Sequence, residues 1–135
     1  MEKAGAGRMA QGWNDWRVQP RLNLGGVAGV RGAAKAGGAV ETGLGHLAAA
    51  LDVPTLSLFG PTNPGLTGAY GRTQVHQASD WPCAPCLQKK CTYKPSAEDL
   101  RRYDPNREWP LCFTRLNPEH VASRLSALLL AEDVR

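Results

Sequence analysis

No run of apolar residues in this sequence approaches the ~20 needed to cross a bilayer as a helix, so a helical membrane span is not expected. Lys3 and Arg8 are followed by no apolar stretch, which argues against a secretory leader. Basic residues are scattered apart from the pairs Lys89-Lys90 and Arg101-Arg102, so the stripe of positive charge that marks a nucleic-acid surface is missing. There is no internal repeat. What remains is an ordinary globular composition: 135 residues, 42% hydrophobic and 21% charged, the length of one domain. Fifteen glycines and ten prolines predict many turns. The net charge of +4 exerts only a mild pull on anionic ligands or a negative membrane surface.

The composition changes along the chain. Residues 1–79 are rich in Gly and Ala with short apolar runs. Residues 80–116 hold all four cysteines and half of the prolines, and from Asn117 the pattern is helical again. Residues 2–11 read as a helix and 16–19 as a short strand. Residues 24–34 have helical spacing, although four glycines and Arg31 interrupt it. A strand over Lys35–Val40 is expected from βα alternation alone, because Gly37-Gly38 is a poor strand former. Leu44, Leu47, Ala48 and Leu51 fall on one helical face, with Thr42 placed to cap it. Val53–Phe59 and Thr73–His76 read as strands, separated by the loop Gly60–Gly65. The last helix should start at Asn117 and bury Val121, Leu125, Leu128 and Leu129. Strand, helix and strand at this spacing predict an α/β fold: a Rossmann-like parallel sheet with flanking helices, and a Cys-rich insertion.

Two segments carry chemistry. Glu41-Thr42-Gly43-Leu44-Gly45-His46 stands at a strand-to-helix junction. Unpaired N–H groups and a partial positive charge there suit a diphosphate. Gly43 and Gly45 allow close approach, and Thr42 and His46 offer donors. On these residues alone, a capped helix with a surface histidine is the commoner use. Phe59-Gly60-Pro61-Thr62-Asn63-Pro64-Gly65 follows the carboxyl end of a strand, where open α/β sheets bind ligands, although a simple turn is its commoner use.

The segment Val40-Glu41-Thr42-Gly43-Leu44-Gly45-His46-Leu47-Ala48-Ala49-Ala50-Leu51 resembles the V-D-T-G-L-x-H-L-x-A-A-L signature of the ADP-heptose:lipopolysaccharide heptosyltransferases, glycosyltransferase family 9. The stretch from Gly60 to Gly71 is similar to the G-P-T-N/D-P-G-L-x-G-x-Y-G run of the type I members, and Val18–Leu24 to their V-L-P-K/R-x-S-L segment. The resemblance implies the C-terminal half of a glycosyltransferase B fold, with residues 1–79 and 117–135 forming an ADP-heptose-binding domain and 80–116 a Cys-rich insertion. It places Thr42, Gly43 and His46 on the diphosphate and heptose, Glu41 on the heptose hydroxyls, Glu2 on the ribose and Leu22 beside the adenine. The implied donor is ADP-L-glycero-β-D-manno-heptose, and the implied acceptor is Kdo-lipid A, held by an N-terminal domain that this sequence does not contain. The implied work is that of an inverting glycosyltransferase at the cytoplasmic face of the inner membrane, with peripheral contact, no cofactor and no nucleic acid. The catalytic base of the family lies in the absent domain, so the fragment is expected to be inactive alone.

The departures from the family pattern are specific. Glu41 stands where the signature has Asp, Ala36-Gly37-Gly38-Ala39 where Val or Ile is usual, and Arg31 where an apolar helix residue is expected. The last two should weaken the core beneath the site. Cys83, Cys86, Cys91 and Cys112 leave three readings open: free thiols packed in a loop, a zinc site supporting a zinc-knuckle interaction module, or disulfides. Trp81, Trp109, Leu111 and Phe113 bracket the cysteines and should form a small satellite core.

Overall fold

The computed structural model describes residues 20–40 and 43–134. The helix expected over 2–11 and the strand expected over 16–19 lie outside them, as do Glu2, Glu41 and Thr42. The described chain runs α1 (Leu24–Gly32), β1 (Gly37–Val40), α2 (Gly43–Ala50), β2 (Thr55–Phe59), the one-turn α3 (Pro64–Thr67), β3 (Gln74–Ala78), α4 (Ala97–Arg102), a 3₁₀ turn (Leu111–Arg115) and α5 (Pro118–Val134). The three strands form one sheet in the order β1-β2-β3, and both pairings are parallel. The α/β expectation is therefore met, including the glycine-rich β1. Its backbone supplies the ladder, with Gly37 opposite Thr55 and Val40 opposite Leu58.

Side chains alternate across the sheet, and so do its neighbours. On one face Gly45 of α2 lies against Ser57 and Ala39, where a Cβ would stand 3.5 Å from Ser57 Oγ and 3.8 Å from Ala39 Cβ. On the other face Gly38 approaches Leu125 of α5. This is a three-layer arrangement around β2, whose Thr55, Leu56, Ser57 and Phe59 are all buried. Thr55 is accommodated because its hydroxyl donates to the Val53 carbonyl at 2.9 Å.

Several sequence expectations need correction at the level of packing. The stripe on α2 is only partly buried: Ala48 is buried and Leu47 half-buried as expected, Leu44 and Leu51 are exposed, and Gly45 lies against the sheet. A helix this close to a sheet seats on its smallest residues, and larger ones are turned to the sides. On α5, Val121, Leu125 and Leu128 are half-buried and Leu129 is exposed, so the stripe is narrower than expected. The Asn117 cap is present, its side chain accepting from the His120 N–H at 3.0 Å. Arg31 and the glycines of β1 prove to be linked. A Cβ on Gly37 would lie 2.8 Å from Arg31 Nη1, so the guanidinium occupies the space that a strand side chain would fill.

Candidate functional site at the carboxyl edge of the sheet

Parallel register decides where the two motifs meet. Val40 pairs with Leu58, so β1 and β2 end side by side. The chain leaving β1 enters α2 at Gly43, and the chain leaving β2 enters Gly60–Gly65. Both motifs therefore emerge from the same edge of the sheet, on adjacent strands.

Gly43 begins α2, and a Cβ there would meet nothing among the described residues within 4 Å. The first N–H groups of a helix have no partner within it, so this end offers donors to an anion. His46, one turn in, is exposed, and among the described residues no hydrogen bond engages its imidazole. Gly45, expected to admit a ligand, serves packing instead, being buried against the sheet. Leu22 lines a shallow depression of about 340 Å³ on α1 with Pro20, Val27, Val30, Arg31 and Ala34. Neither Gly43 nor His46 lines that depression.

The loop after β2 is built from its own polar atoms. Asn63 Oδ1 accepts from the Gly65 N–H at 2.9 Å, and Pro64 occupies the first turn of α3. The Asn63 side chain is thus committed to capping. Gly68 admits no side chain, because a Cβ would collide with the Pro64 carbonyl and the His76 ring. His76 Nε2 stands 3.0 Å from the Ala69 carbonyl, and its ring meets Phe59 edge-on at 5.3 Å. His76 therefore fastens the far side of the loop to β3. No short-range pattern in the sequence marks it for that role.

The cysteines lie on the same side. Cys83, Cys86, Cys91 and Cys112 line one cavity of about 320 Å³, together with Pro61, Trp81, Tyr93 and Leu111. All four are free thiols. Burial pushes the Cys112 thiol above its ordinary range, and the neighbouring Cys83, Cys86 and Cys91 add to the shift. Burial, then Cys86, does the same for Cys83. Among the described residues no three His, Cys, Asp or Glu side chains are grouped to hold a metal ion. The satellite core is present, with Trp81, Leu111 and Cys112 buried and Tyr93 and Tyr103 edge-on to Trp81 at 5.5 and 5.8 Å. Phe113 packs against it, but Trp109 is 42% exposed and does not belong to the buried group.

Comparison with known proteins supplies the context for this edge. The sequence profile of glycosyltransferase family 9 (heptosyltransferase) matches residues 1–97. Lipopolysaccharide heptosyltransferase 1 of Pseudomonas aeruginosa is 64% identical over 132 residues, which is 98% of this chain and 37% of that protein. The protein of the same name from Escherichia coli K12 is 47% identical over 74 residues, 55% of this chain and 23% of that one. Among solved structures, the E. coli heptosyltransferase WaaC with ADP superposes with a TM-score of 0.57 at 45% identity, over 58% of this chain and 24% of that one. The same protein with ADP-2-deoxy-2-fluoro heptose gives 0.50 at 40% identity, over 58% and 23%. The chain spans little more than a third of the Pseudomonas relative's length. No described helix is long and apolar enough to cross a membrane. With its parallel sheet, its two motifs at one edge and its profile match over most of its length, the chain belongs to glycosyltransferase family 9, the heptosyltransferases.

Proposed function

We propose that this chain is the part of a heptosyltransferase that binds the nucleotide-sugar donor, ADP-heptose. The single observation that carries the reading is the register of β1 and β2, which brings the start of α2 and the Gly60–Gly65 loop to one edge. The diphosphate rests against the amino end of α2, where Gly43 leaves space and His46 offers an imidazole. Thr42 adds a hydroxyl to the same anion, Glu41 bonds heptose hydroxyls, Glu2 the ribose, and Leu22 lines the adenine. These assignments rest on the signature residues. In the same reading, residues 1–79 and 117–135 form the donor domain and 80–116 is inserted in it.

In the whole enzyme, a Kdo hydroxyl oxygen of the lipid acceptor attacks the anomeric carbon of the donor. The bond from that carbon to the diphosphate oxygen breaks, the centre inverts, and ADP leaves with the electron pair. The hydroxyl proton goes to a base carried by the other half of the enzyme. The part played by this chain is to stabilise the charge growing on the departing diphosphate, through oriented N–H groups at the end of α2. The work belongs to the cytoplasmic face of the inner membrane, where nucleotide sugars and nascent lipid A meet.

Titration of the chain with ADP by calorimetry tests this reading. Half a cleft should bind in the high micromolar to millimolar range, about 4–6 kcal/mol. A folded chain that shows no heat with ADP at several millimolar, while the intact relative binds it, would remove the donor assignment.

A further inference from the structure

The loop at the donor edge is held from outside by residues that its own sequence motif does not include. Three successive residues at the end of β2 are each gripped by the Cys-rich segment or its approach. The Phe59 carbonyl accepts from the Ser79 N–H at 2.8 Å. Ser79 Oγ in turn donates to the Cys112 carbonyl and accepts from the Trp81 N–H at 3.1 Å. Gly60 is buried, and a Cβ there would stand 2.9 Å from both Cys112 Sγ and the Phe113 ring. The Pro61 carbonyl accepts from the Leu87 N–H at 2.8 Å, and Pro61 forms part of the wall of the thiol-lined cavity.

A turn clamped at three consecutive residues has little freedom left in its path. The clamp ends where the motif begins its outward run through Thr62 and Asn63. Contacts that fix a backbone to a fraction of an ångström matter most where that backbone faces a ligand. Cys112 and Phe113 are brought there by the 3₁₀ turn, more than 50 residues downstream of Gly60.

We propose that Phe113 and Cys112, with Leu87, are positioning residues for the donor loop: they set the path of Gly60–Gly65 and so tune donor affinity without touching the donor. The Cys-rich segment is then a buttress of the site. This rests on the donor-binding reading above, and the test separates the two.

Gly60→Ala drives a methyl into the Phe113 and Cys112 contact. Phe113→Ala removes the ring, and the double variant gives the new methyl the vacated space, into which Cys112 Sγ also shifts. The expected result is an ADP affinity about tenfold weaker in Gly60→Ala. It returns to within about threefold of the parent in the double variant. Helical circular dichroism should stay unchanged throughout. Phe113→Leu, a gentler change, serves if Gly60→Ala fails to fold. Nitrogen-15 NMR of the Gly65 and Leu66 amides follows the loop without any ligand, and should shift in the single variants and return in the double. Unchanged ADP affinity in folded single variants, or loss with no recovery in the double, overturns the proposal. If the parent chain does not bind ADP, the donor reading fails and the loop amides alone decide. Amides that do not move would then sink the positioning role.

Discussion

Single residues carry most of the departures from the family signature, and two of them compensate one another. Arg31 and Gly37 each look unfavourable alone, a charge on a packing face and a strand residue without a side chain. Together they are one contact, with the guanidinium lying over the bare backbone. A side chain at Gly37 would meet the far end of the flexible Arg31 side chain, which can give way, so Gly37→Val should change stability by less than about 1 kcal/mol in urea unfolding. A loss of several kcal/mol that Arg31→Leu relieves would show instead that the guanidinium is held in place. His46 stands exposed one turn into α2, and its value should lie in binding and not in stability. His46→Ala should weaken ADP binding by about tenfold, the worth of a hydrogen bond to a charged group, and leave the melting temperature in place. An unchanged affinity would take His46 out of the site. The motif residues were visible in the sequence because a signature is local. The coupling of Arg31 to Gly37 was not, since it depends on how α1 lies over β1.

At the scale of elements, local rules worked where caps and turns were concerned. Asn117 caps α5 as expected, and the loop after β2 contains the turn residues its shape requires. The short helix α4 shows the same logic. Ser96 Oγ accepts from the Asp99 N–H at 3.1 Å, and the Asp99 carboxylate accepts from the Ser96 N–H at 2.8 Å and from the Tyr93 hydroxyl at 2.8 Å. The Ser96 backbone donor first, then Tyr93, holds the Asp99 carboxyl below its usual range. A depressed carboxylate stabilises the fold above its unfolded pKa, and that contribution is lost as pH falls through the folded value. Protection of the α4 amides, their exchange rate relative to the intrinsic rate at the same pH, should therefore fall below the ordinary carboxylate range, and Asp99→Asn should remove that fall. Protection in the parent that does not change across this range would contradict the capping role. Packing was less legible than capping. Of the stripe Leu44, Leu47, Ala48 and Leu51, Ala48 is buried and Leu47 half-buried as expected, but Leu44 and Leu51 are exposed and Gly45 takes the place against the sheet. Periodicity marks a face but not how near the sheet lies to it. Strand β1 was expected only from alternation, against its own composition, and the ladder to β2 is what makes it a strand.

For the whole molecule, the chain covers 37% of the Pseudomonas relative. Exposed Leu22, Leu24, Val30, Val40, Leu44 and Leu51 lie on or beside α1, β1 and α2, a concentration of apolar surface on one side of the sheet order. Incubated with ADP-heptose and Kdo-lipid A, the chain alone should transfer no heptose, as followed by mass spectrometry of the lipid. Transfer above background would mean that a base resides within these residues. The amino-acid order by itself determined the α/β class, the positions of the strands and the identity of the two motifs, because alternation, caps and signature spacing are properties of neighbours in the chain. Only the tertiary structure decided that both motifs share an edge, that a guanidinium fills the gap over β1, and that the cysteine segment clamps the turn after Phe59. Those facts depend on strand register and on contacts between residues far apart in sequence, which no local pattern encodes.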